Sequence, residues 1–193
     1  YPYRSALWQK FLVESLGDSS IVRNIWEGYG LEYATGNPVS LFPIYSNAIE
    51  YVTENEVTLS DAYLDYAIWR YFTGDRYIPN EYFNESSSYC TASTISDFEG
   101  TFSLSTNKGA TQFINLPSEN LNLIITSDYV DDINLSHLII DGNNSVDIVE
   151  LIPNNDNFYI SVSELGSNVI VASSKYNDIY STDINFSVST QSD

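Results

Sequence analysis

Glu85-Ser86-Ser87-Ser88-Tyr89-Cys90-Thr91-Ala92-Ser93-Thr94 is small and polar, and the chain changes character across it. Upstream, apolar residues recur every three or four positions, which collects them on one face of a helix. Downstream they alternate, or run in short β-branched groups between turn signals, as strands do. The stretch therefore reads as a linker. The expected architecture is α+β: an aromatic-rich, all-α helical subdomain over 1–90, then an antiparallel β-sandwich over 91–193.

Four helices are predicted upstream. In 5–16, Trp8, Phe11, Leu12 and Leu16 share a face, and Gly17 ends the helix as a C-terminal cap. Asp18 or Ser19 caps a second helix with Ile21, Val22, Ile25 and Trp26 inward, expected to stop at Gly28 and Gly30. A third covers 41–54 with Ile44, Ala48, Ile49 and Val52 inward and Pro43 in its first turn, where a missing N–H costs nothing. A fourth starts at a Thr58 or Ser60 cap, carries Asp61 at its positive end, and closes at Gly74. All three tryptophans (Trp8, Trp26 and Trp69) fall on apolar faces, so core packing is expected of each rather than sugar stacking.

Up to eight strands are predicted downstream, over 99–106, 112–116, 121–126, 135–140, 146–152, 158–162, 169–173 and 184–189. Turn signals separate them: Asn107-Lys108-Gly109, Pro117-Ser118, Asp141-Gly142, Pro153-Asn154-Asn155 and Leu165-Gly166-Ser167. This spacing is that of an antiparallel sandwich.

Composition limits the partners. The 193 residues carry 7 basic and 26 acidic side chains, a net charge of −19. Such a surface repels phosphate backbones and anionic headgroups, which argues against nucleic acid and membrane surfaces. It attracts cations, calcium above all. No run is long and apolar enough to insert in a bilayer. Cys90 is the only cysteine, so no internal disulfide forms. No methionine occurs, even at position 1, which predicts a processed piece of a longer polypeptide.

The search for chemistry finds little. A zinc peptidase helix needs H-E-x-x-H, two imidazoles one turn apart, and the only histidine here is His137. Alternation puts it on one face with Leu135 and Ile139, as a strand histidine. There is no G-x-S-x-G elbow and no glycine-rich phosphate loop, and Cys90 has no base nearby in sequence. No catalytic residue is therefore assigned. Asp128-Tyr129-Val130-Asp131-Asp132 is the densest acidic cluster. Hard cations take several oxygen ligands from such loops, so Asp128, Asp131 and Asp132 are the candidate calcium ligands. The plainer reading is a solvated acidic loop. Asn154-Asn155-Asp156-Asn157 is a lesser case of the same kind. Asn84, Asn134, Asn143 and Asn185 open N-x-S sequons, which matter only in a glycosylating host.

The helical half also resembles a known arrangement. Tyr3-Arg4-Ser5-Ala6-Leu7-Trp8, Phe11-Leu12, Gly17 and Ile21-Val22-Arg23-Asn24-Ile25-Trp26-Glu27 come first. Leu59-Ser60-Asp61-Ala62-Tyr63-Leu64-Asp65-Tyr66-Ala67 and Trp69-Arg70-Tyr71-Phe72-Thr73-Gly74 follow. This order is similar to the region after the H-E-x-x-H helix in a family of secreted bacterial proteins of zinc-metallopeptidase type. A β-sandwich follows there, and 98–190 has the matching length, with Asn168-Val169-Ile170-Val171-Ala172-Ser173 like its late strand. The resemblance implies a non-catalytic C-terminal segment, secreted or at the cell surface. Zinc would belong to an upstream part, and the partner would be that part or another chain. The sandwich would serve as an accessory module, for a peptide or glycan. The alternative is a non-enzymatic adhesion or assembly subunit.

Overall fold

The computed structural model describes residues 2–36, 38–105, 110–175 and 183–191. Among the described residues four helices precede eight strands, the expected α+β order: α1 Pro2–Leu16, α2 Ser20–Ala34, α3 Leu41–Val52 and α4 Leu59–Tyr71, then β1 Gly100–Ser105, β2 Thr111–Leu116, β3 Leu121–Ser127, β4 Ile133–Ile140, β5 Val146–Leu151, β6 Asn157–Val162, β7 Ser167–Ser174 and β8 Asp183–Thr190. The turn expected at Asn107-Lys108-Gly109 lies outside the described residues. The chain divides into two compact units, Tyr1–Trp69 and Arg70–Asp193.

In the helical unit, local chemistry sets the ends. Gly17 adopts φ +69° and donates to the Val13 carbonyl at 3.1 Å, closing α1. The Asp18 carboxylate accepts the Ser20 N–H at 2.8 Å and so caps α2. Thr58 and Asp61 bond reciprocally across the first turn of α4: Asp61 N donates to Thr58 Oγ1 at 3.2 Å and Thr58 N to Asp61 Oδ2 at 3.0 Å. The core is aromatic. Trp8 stacks on Tyr63 (centroids 4.7 Å), meets Tyr66 edge-on (5.2 Å) and touches Phe11 (5.5 Å). Burial pushes the Tyr63 phenol well above its ordinary range.

Two expectations fail on α2. It does not stop at Gly28 and Gly30 but runs through both to Ala34. A β-carbon on Gly28 would lie 3.0 Å from Ile44 Cγ2, so this glycine lets α2 lie close against α3. Trp26 is not core either; it is 60% exposed. Ile21 and Ile25 set the buried stripe, and each residue step turns the helix by about 100°. Trp26 follows Ile25 by one step and is carried out of the stripe.

The second unit is a sandwich of two four-stranded antiparallel sheets, ordered β1-β8-β3-β6 and β2-β7-β4-β5. One apolar cluster joins them, including Leu123, Ile125, Phe158 and Phe186 from the first sheet and Ile114, Leu135 and Ile170 from the second. Strand β7 is buried from Asn168 to Ser174, so it is covered on both faces. Tyr71 packs on Phe113 of β2 at 5.5 Å.

Residues 70–98 belong to this unit as well. Composition groups residues 70–90 with the helices. The stretch read as a linker is tied down by specific bonds. Thr73 Oγ1 donates to the Cys90 carbonyl at 3.0 Å, and Asp75 N donates to Thr91 Oγ1 at 3.0 Å. Arg76 lies over the Tyr71 ring at 4.1 Å and donates to the carbonyls of Tyr71 and Ala92. Ile95 bridges to Ile114, donating to Phe113 O and accepting from Asn115 N, both at 2.8 Å.

Candidate functional site

The β3–β4 connection carries the acidic cluster. The strand ends at Ser127, whose hydroxyl accepts the Tyr129 N–H at 3.2 Å. A single 3-10 turn over Val130–Asp132 follows, closed by Asp132 N donating to Tyr129 O at 3.0 Å. Asp128, Asp131 and Asp132 then line a cavity of about 390 Å³ together with Asp156. The fourth carboxylate comes from the β5–β6 turn. The β3–β6 ladder explains the meeting, because it pairs Thr126 with Asn157 and so sets the two turns just beyond one ladder end. Asn155 and Asp156 both sit at positive φ, 49° and 62°. Among the described residues, no three His, Cys, Asp or Glu side chains are grouped as ligands of one ion.

His137 lies on the inner side of β4, opposite Ile170 of β7 and Val149 of β5. It is 3% exposed. Its Nε2 is 3.0 Å from Asn168 Oδ1, while Asn168 Nδ2 donates to the Ser163 carbonyl at 3.0 Å. Because the amide nitrogen donates to Ser163, the amide oxygen must accept, and Nε2 of His137 carries the proton. The only imidazole of the chain is thus committed to a buried link running through Asn168 to Ser163. Cys90 is exposed, away from that interior.

This link has a pH signature. Burial lowers the His137 pKa, and the Asn168 hydrogen bond opposes that only in part. The unfolded chain then binds a proton near pH 6.5, before the folded chain does, so stability falls as pH drops through that window. The loss is at most about 1.4 kcal/mol per pH unit. Carboxylates titrate lower, near pH 4. Urea midpoints at pH 7.5 and 5.5 should separate for the native chain and converge for His137→Gln. An equal drop in both would place the titration elsewhere.

Trp26, which periodicity placed inward, belongs to an aromatic group on α2. Trp26 meets Tyr29 edge-on at 6.2 Å and Tyr29 stacks on Tyr33 at 6.1 Å, so α2 carries an aromatic row at i, i+3 and i+7 whose outer members, Trp26 and Tyr33, are exposed while Tyr29 is half-buried. On its other side α2 forms a groove with α3 of about 370 Å³, lined by Asn24, Leu31, Ile44 and Tyr51 among others.

No protein-family profile matches the chain, and no curated protein sequence matches it. Among solved structures it is similar to the pre-peptidase C-terminal domain of collagenase from Bacillus anthracis. That match has 11% identity over 53% of this chain and 99% of the other, with a TM-score of 0.36. It is also similar to a structure of accessory secretory protein 1, 2 and 3 of Streptococcus pneumoniae, at 10% identity over 48% of this chain and 68% of the other, with a TM-score of 0.29. Among the described residues no helix is long and apolar enough to cross a membrane.

Proposed function

We propose that this chain is a non-catalytic accessory segment of a secreted protein of metallopeptidase type. The helical unit supports a cleft formed elsewhere, and the sandwich is a contact module. The observation that carries this reading is the state of His137. Zinc-peptidase chemistry of the H-E-x-x-H type calls on imidazoles that hold the metal beside the substrate, and the one imidazole here is buried and hydrogen-bonded to Asn168. Acidic side chains outnumber basic ones almost four to one, which suits a module that stays soluble and meets cationic surfaces. Any calcium dependence falls to Asp128, Asp131, Asp132 and Asp156.

The test has two arms. Coding sequence upstream of Tyr1 should contain an H-E-x-x-H helix, and the purified chain should hydrolyse no peptide when supplied with zinc. Chelator-sensitive hydrolysis by the pure chain would overturn the reading. The exposed Trp26 and Tyr33 on α2 favour a second reading, a non-enzymatic adhesion or assembly subunit that binds a glycan. A repeat array or a surface anchor upstream, with binding on a glycan array, would select it.

A further inference from the structure

Strand β5 ends its sheet: among the described residues it pairs with β4 alone. Four of its six residues are exposed, including Ile148 at 49% and Val149 at 44%. The other sheet ends differ. The outer side of β2 carries the Ile95 bridge. On β1 and β6 the exposed side chains are chiefly Thr101, Ser103, Tyr159 and Ser161. Among the described residues, β5 is therefore the one edge that joins an open row of backbone donors and acceptors to exposed aliphatic side chains. Such an edge is a template for another strand.

Charge decides what that strand is. Asp147 and Glu150 flank the Ile148-Val149 pair. If two copies paired antiparallel through β5 over all six residues, Asp147 would face Glu150 of the second copy, twice over. Like charges directly opposite each other destabilise a strand pair, and each copy also carries a net charge of −19. A cationic strand meets the reverse case, with opposite charges at both positions and β-branched contacts between them. We propose that the free edge of β5 binds an extended basic peptide segment, with Lys or Arg opposite Asp147 and Glu150 and Val or Ile opposite Val149 and Ile148.

The probe is a capped hexapeptide, Thr-Lys-Val-Val-Lys-Thr, compared with Thr-Glu-Val-Val-Glu-Thr and titrated into the full chain with amide NMR shifts as readout. The lysine peptide should bind and the glutamate peptide should not, with shifts centred on residues 146–152. The double variant Asp147→Lys/Glu150→Lys should weaken the lysine peptide by about tenfold and admit the glutamate peptide. Of two lysine peptides N-methylated at alternate residues, one should lose binding, because only alternate N–H groups face the edge. Equal binding of the two charge forms would overturn the proposal. So would shifts centred outside 146–152, binding unchanged in the double variant, or self-association of the native chain through β5.

Discussion

Gly74→Ala should destabilise the sandwich unit by about 3 kcal/mol. Two costs combine. The residue sits at φ +62°, where an L side chain loses about 1–2 kcal/mol. The added β-carbon would also lie 2.7 Å from the Thr91 nitrogen and 2.9 Å from the Tyr89 oxygen. Both are backbone atoms that cannot swing aside, and overpacking of this kind costs about 1–3 kcal/mol. The contacts it would break tie residues 73–76 to 90–92. Gly30→Ala is the control of opposite sign: Gly30 is helical with nothing within 4 Å, so alanine there should gain about 0.5–1 kcal/mol. Urea denaturation of both variants measures the pair. A Gly74 variant within 1 kcal/mol of the native chain would refute the packing described.

Trp8→Ala should cost the helical unit about 4 kcal/mol, in the range of large aromatic truncations. The indole is held by Tyr63, Tyr66, Phe11 and, at 5.9 Å, Tyr45, so its removal empties the middle of the cluster. Trp8→Phe should recover most of the loss, because the indole Nε1 has no hydrogen-bond partner to forfeit among the described residues. Trp26→Ala should fall within about 0.5 kcal/mol of native, as exposed substitutions do. Helical circular dichroism against urea separates the three. Similar losses at Trp8 and Trp26 would contradict their different burial.

The same tryptophans show where sequence reasoning holds and where it stops. Periodicity placed all eight strands because each is short, β-branched and bounded by turn residues, and turn chemistry is local. Gly17 was legible for the same reason. Gly28 was not: a glycine that ends a helix and one that admits a neighbouring helix look alike until Ile44 is known to lie above it. Trp26 failed because a four-residue apolar group spans more of the helix circumference than α2 buries. The acidic cavity was half legible. Asp128, Asp131 and Asp132 are adjacent in sequence, but Asp156 joins them only through the Thr126–Asn157 pairing, and register is a tertiary fact. The ties from Thr73, Asp75 and Arg76 to residues 90–92 were hidden in the same way, since polar composition there suggested slack where bonds exist.

Strand β8 lies between β1 and β3, pairing with both. On a growing polypeptide, β1 is made about 80 residues before its neighbour, so the β1-β8-β3-β6 sheet cannot be completed until β8 is made. A chain threaded outward from its N-terminus would keep bare edges on β1 and β3 until that strand emerged, and stopping translation before residue 183 would leave β1 without its partner among the described strands.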